Sequence, residues 1–229
     1  MGVHLHIGSQ ITQAKPFVEA IRRAGKIVQE GRRRGVPIEW LNLGGGLGII
    51  YKDEQPQRPD QFARAVLPQL RALRVRLVLE PGRFIVGNAG VLVTEVLYVK
   101  RSRGKQFAVV DAGMNDLIRP ALYGAYHEVI PTSAVSNARN GLSRYDVVGP
   151  VCESADVLAK DRRLGRVQAG LRLAVLGAGA YGSTMASNYN GRLRPAEVLV
   201  RGCRWAVIRR RETRQDLIRH DVIPRALLK

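Results

Sequence analysis

Two apolar spacings alternate along the first third of the chain. Val3 to Ile7 is a short branched and aliphatic run that ends at Gly-Ser, which predicts a strand running into a loop. From Pro16 to Arg33 the apolar positions Phe17, Val18, Ile21, Ile27 and Val28 recur at helical spacing, and Gly35 follows as a C-terminal cap. Pro37 to Leu43 (PIEWLNL) predicts a second strand leading into GGGLG, Asp60 to Leu73 a second helix, and Arg76 to Glu80 (RLVLE) a third strand leading into PGR. Strands alternating with helices imply parallel pairing with right-handed crossovers, hence an α/β sheet or part of a barrel.

Beyond Gly90 the helical spacing gives way. VLVTEVLYVKR, QFAVVDAG, YDVVGPVC, LRLAVLGAG, AEVLV and RWAVIRRR read as strands separated by turns containing Gly, Asn and Arg. They predict an antiparallel sheet or small barrel. The expected organisation is α/β over residues 1–87 and β over residues 88–229, with the boundary near Gly87 and no internal repeat.

Composition narrows the function classes. At 229 residues and 45% hydrophobic content the chain has enough apolar material for a core. No apolar run is long enough to span a bilayer and no signal-peptide pattern opens the chain, so the expected compartment is the cytoplasm and no membrane partner is expected. Cys152 and Cys203 are too few for a disulfide framework and lack zinc-site spacing, so no metal is expected. The net charge of +18 suggests nucleic acid, but 30 of the 37 basic residues are arginines scattered along the chain, without interleaved aromatic platforms. A solvated basic surface is the expectation.

In an α/β layout the loops leaving the C-terminal strand ends build the site, and here they are HIGSQ, GGGLG and EPGR. Three glycines, Gly44 to Gly46, let backbone N–H groups close on a phosphate, although a tight turn would need them equally. The spacing is neither the dinucleotide fingerprint nor the P-loop. Glu80 can pair with a protonated ring nitrogen and Arg83 can clamp a carboxylate; an internal ion pair is the alternative. His6, with an apolar neighbour on each side, reads equally as a core histidine.

In the β part, DAGMNDLIRPALY spaces Arg119 and Tyr123 for one face of a helical turn. GPVCESAD puts Cys152 beside Glu153, where an inert thiol is the alternative. GAGAYGSTMASNYNGR mixes small residues with Tyr181 and Tyr189, suited to close approach by a ligand or partner, or to a tight turn.

Taken in order, these six stretches and the tail RRRETRQDLIRHDVIP resemble the diaminopimelate decarboxylases. These are pyridoxal-phosphate enzymes of the alanine-racemase-like, fold III family that end lysine biosynthesis. The resemblance implies the last three β/α units of a TIM barrel followed by a mainly antiparallel β domain. It implies decarboxylation of meso-2,6-diaminopimelate to L-lysine by a homodimer with sites at the interface.

By the same resemblance, His6 stacks on the cofactor ring and Ser9 helps hold its phosphate. Gly45 and Gly46 complete the cradle with Glu80, Gly82 and Arg83, and Glu80 faces the ring nitrogen. Arg83, Arg119 and Tyr123 would grip the distal end of the substrate, and Tyr181 would reach both phosphate and substrate. Cys152, the proton donor, and Glu153 would arrive from the partner subunit. Arg119 suits a distal carboxylate better than the ammonium of ornithine-type substrates. A non-catalytic, cofactor-binding homologue is the alternative.

The lysine that carries the cofactor in that family lies on the first barrel strand, upstream of the HIGSQ motif. None of the seven lysines here sits in a comparable place. The expectation is a C-terminal portion that is inactive, and poorly soluble, without a complementing segment.

Overall fold

Val3, Leu41 and Leu77 stand in register on three parallel strands, β1 (Gly2–His4), β2 (Trp40–Asn42) and β3 (Arg76–Val78), in that spatial order. The computed structural model describes residues 1–133 and 141–227. Two helices link the strands, α1 (Lys15–Arg33) and α2 (Pro59–Leu73). α1 begins at its Lys-Pro pair, as a fixed proline φ allows, and ends where Gly35 takes a φ of 82° just past Arg34.

Both helices lie on the sheet face that carries the aliphatic residues. Phe17, Ile21 and Ala24 of α1 and Phe62, Val66 and Leu70 of α2 close over Leu41 and Leu43, with Phe17 and Phe62 edge to face at 5.1 Å. Burying such rings contributes about 3 kcal/mol each at most. Alternation sends His4, Trp40 and Arg76 to the opposite face, where all three are exposed.

Regular strand geometry is shorter than the apolar runs predict. Pairing nonetheless continues past it: Leu5 N donates to Asn42 O, Leu43 N to Val78 O and Glu80 N to Gly44 O. It stops where Gly44 turns to a φ of 66°.

This first compact unit comprises Met1–Val91, Tyr126–Glu128 and Val175–Ala180. The two returning segments are held by backbone contact. Leu176 N donates to Glu128 O, Ala178 N to Gly90 O and Gly179 N to Gly87 O. A Cβ on Gly179 would sit 1.8 Å from Val86 O, so only glycine fits that crossing.

The second unit holds a six-stranded sheet in the order β6-β9-β4-β5-β7-β8: β4 Leu92–Ser102, β5 Lys105–Val110, β6 Val129–Pro131, β7 Ser143–Val148, β8 Val157–Leu164 and β9 Arg172–Val175. The pairs β4·β5 and β7·β8 are antiparallel, whereas β5·β7 is parallel. Arg103 and Gly104, at φ 49° and 77°, make the two-residue turn whose twist suits the β4–β5 hairpin. Val96, Val110, Leu117, Val147, Leu158 and Leu173 are buried here. A separate antiparallel hairpin, β10 (Glu197–Arg201) with β11 (Arg204–Arg209), completes the unit. Among the described residues no helix is long and apolar enough to cross a membrane.

Candidate active site

In the first unit the three strand-end loops meet at the glycine triplet. A Cβ on Gly44 would lie 2.6 Å from Leu5 O, one on Gly45 2.5 Å from Glu80 O, and one on Gly46 2.3 Å from Gly8 O. Each glycine is therefore required by a neighbouring loop, and the packing alone accounts for the triplet.

Asn42, which the motif reading passed over, ties these loops together. Its Nδ2 donates to Glu80 Oε1 at 2.7 Å and its Oδ1 accepts from Gly44 N at 2.8 Å. Its one sequence signal is a polar residue in an otherwise apolar WLNL run. Gly45 N donates to His6 Nδ1 at 3.3 Å, which leaves the ring proton of a neutral imidazole on Nε2. His6 and Glu80 are both exposed. His4 Nε2 lies 3.7 Å from Glu80 Oε1.

Arg83 belongs to the same cluster. It sits in α3 (Gly82–Val86) and donates to Ser9 Oγ at 2.8 Å and to Tyr51 Oη at 2.7 Å. Tyr51 in turn packs edge to face on His127, 5.4 Å between centroids, and His127 Nδ1 lies 2.8 Å from Leu176 O. Gln10 braces the HIGSQ turn, donating to Ile49 O and accepting from Ile49 N. Gly82 is exposed, its backbone N donates to Glu80 O at 2.9 Å, and a Cβ added there would meet nothing within 4 Å.

In the second unit, Asp156 joins the DAGMND and GPVCES stretches. Only 3% exposed, it accepts from Met114 N through Oδ1 at 2.6 Å and from Val151 N through Oδ2 at 2.7 Å. Burial pushes the Asp156 and Asp116 carboxyls above the usual carboxylate range. Arg192 completes the junction: its Nε donates to Asn115 Oδ1 at 2.9 Å, and its guanidinium also bonds Asp111 O. Ser187 N donates to Asn115 O, so the part of the third stretch from Tyr181 to Arg192 joins the same network.

Cys152 and Cys203 are free, exposed thiols. Glu153 Oε1 accepts from Tyr189 Oη at 2.5 Å, and Asn190 Nδ2 lies 3.6 Å from Cys152 Sγ. Arg119 and Tyr123 share one helical turn, α4 (Arg119–Tyr123), but differ in environment: Arg119 is 6% exposed and Tyr123 64%. Tyr181 is half exposed and holds a left-handed backbone, φ 62°, a conformation uncommon for a non-glycine residue. Among the described residues no cluster of three or more His, Cys, Asp or Glu is placed to hold a metal.

The family model of the pyridoxal-dependent decarboxylase C-terminal sheet domain matches residues 21–179. The chain belongs to that family. It is 52% identical over 217 residues to the diaminopimelate decarboxylase of Pseudomonas aeruginosa, covering 95% of this chain and 51% of that protein. It is 48% identical to the Archaeoglobus fulgidus diaminopimelate decarboxylase, covering 100% of this chain and 55% of that one. The crystal structure of the M. jannaschii enzyme in co-complex with L-lysine superposes with a TM-score of 0.92 at 42% identity, covering 99% of this chain and 52% of that one. The chain thus spans about half the length of the curated relatives it matches.

Proposed function

We propose that this chain forms the C-terminal part of a pyridoxal-phosphate-dependent decarboxylase that converts meso-2,6-diaminopimelate to L-lysine and carbon dioxide. Residues 1–87 are read as the last three β/α units of a TIM barrel and residues 88–229 as the β domain. Three features support the barrel reading. The strands are parallel, the helices cover one face only, and an apolar cleft of about 330 Å³, walled by Phe62, Val66, Leu77, Leu79 and Phe84, lies open beside β3.

The observation that carries the proposal is the cluster at the strand ends. Arg83 and the Ser9 hydroxyl, 2.8 Å apart, suit a phosphate. The exposed Glu80 carboxylate, fixed by Asn42, suits a cationic ring N–H. The exposed His6 imidazole, fixed by Gly45 N, suits stacking on a flat ring. The residues fit the cofactor, with Gly45, Gly46 and Gly82 adding no side chain to the cradle.

When bound, pyridoxal phosphate is the electron sink that makes loss of a carboxylate from an amino acid feasible. Glu80 would pair with the protonated ring nitrogen of the cofactor. Arg83, Arg119, Tyr123 and Tyr181 bind the substrate, the guanidinium of Arg119 receiving the distal carboxylate that ornithine lacks. Cys152 gives its proton to the carbon that has lost carbon dioxide, and Glu153 holds the substrate beside it. Both act in the partner's site of a homodimer. The exposed Val198, Leu199, Val200, Trp205 and Ile208 of the β10–β11 hairpin support such an interface, since a free hairpin rarely shows so much apolar surface.

The test joins this chain to the half of the Pseudomonas aeruginosa relative that it does not match. In that protein Cys152→Ala should lower kcat for meso-diaminopimelate about 100-fold or more with KM nearly unchanged. Unchanged kcat would contradict the role given to Cys152.

A further inference from the structure

The turn Asn188–Tyr189–Asn190 is not used by the mechanism above, yet it touches both residues of the Cys152–Glu153 pair. Tyr189 Oη donates to Glu153 Oε1 at 2.5 Å, and Asn190 Nδ2 lies 3.6 Å from Cys152 Sγ, within range of an N–H···S hydrogen bond. The turn is itself anchored from behind. Asn188 Nδ2 donates to Glu212 Oε2 at 2.6 Å and to Arg192 O at 2.9 Å, and Glu212 is bound by Arg194 through Nε at 2.6 Å. Asn190 holds a left-handed backbone, φ 56°, with its side-chain amide 3.6 Å from the thiol.

We propose that Asn190 is a positioning residue for Cys152: its side-chain amide donates to Sγ and fixes the direction in which the thiol presents its proton. The inference deepens the proposed decarboxylase reading and rests on it for the thiol's purpose. The hydrogen bond itself does not. A donor on sulfur favours the negatively charged form, and that form is the one alkylated. Among the titratable groups, Tyr189 interacts electrostatically with Cys152 and bonds Glu153, the next residue in the chain, while Asp156 accepts from Val151 N. All three residues are retained in the variants below.

The experiment measures iodoacetamide alkylation of the joined protein at neutral pH, read by mass spectrometry on the peptide carrying Cys152. Asn190→Gly keeps the left-handed backbone available and deletes the amide. Asn190→Asp keeps the shape and replaces the donor with a carboxylate. Loss of one hydrogen bond, partly offset by higher intrinsic nucleophilicity, predicts alkylation about two- to fivefold slower in Asn190→Gly. Asn190→Asp should be slower still. In urea all three proteins should react alike, which separates the folded contact from a local sequence effect. Parent-like rates for both variants in the native protein would overturn the proposal. Decarboxylation is assayed in the same samples. An inactive joined protein whose alkylation follows Asn190 refutes the decarboxylase reading alone; an active one whose alkylation ignores Asn190 refutes this inference alone.

Discussion

Glu212 is held from two sides by Arg194 and Asn188, and the hydrogen bond from Arg194 is the largest reason its carboxyl is lowered to about 2 from an ordinary 4.5. A carboxyl depressed in the folded state adds stability that is complete above its unfolded value and is lost as pH falls through the folded one. The Glu212 contribution should therefore hold above about pH 4.5 and fade toward about pH 2. Asp116 and Asp156 are shifted the other way, so their contributions grow as pH falls. Taking the difference between parent and Glu212→Gln isolates the one group. Urea midpoints should differ most near neutrality and converge toward pH 2; a constant difference across that range would contradict the assignment.

At the scale of elements, Asp156 decides whether the Cys152 loop is a defined structure. Two backbone N–H groups, from Met114 and Val151, end on its buried carboxylate. Asparagine there has one acceptor oxygen, so one buried donor loses its partner at a cost of about 1–3 kcal/mol. Asp156→Asn should lower the thermal midpoint by several degrees, and an unchanged midpoint would show that the loop is held otherwise. Much of this architecture was readable from spacing. Both helices were placed to within one residue, because Phe17 and Ile21, and Phe62, Val66 and Leu70, mark their buried faces. β8 was missed because Lys160 to Arg163 interrupt its apolar pattern, which an outer strand of the sheet tolerates. The strand-end motifs gave the loops but not their tie: Asn42 joins residues 38 apart in sequence, and no local pattern encodes such a contact. Tyr51 and Gln10 were hidden for the same reason. Arg119 and Tyr123 show the limit of spacing, since one helical turn gives them different surroundings.

For the whole molecule, the central claim is that this chain supplies half of a decarboxylase site. The first unit brings His6, Ser9, Glu80 and Arg83 to one set of strand ends, on a sheet whose other face shows His4, Trp40 and Arg76. The second presents Cys152, Glu153 and Tyr189 on connected loops. The most direct test is carbon dioxide release from carboxyl-labelled meso-diaminopimelate by this chain joined to the complementary half of the Pseudomonas aeruginosa relative, with pyridoxal phosphate present. The account predicts stoichiometric L-lysine and a strong preference over ornithine. A folded, cofactor-loaded joined protein that releases no carbon dioxide from diaminopimelate would contradict it.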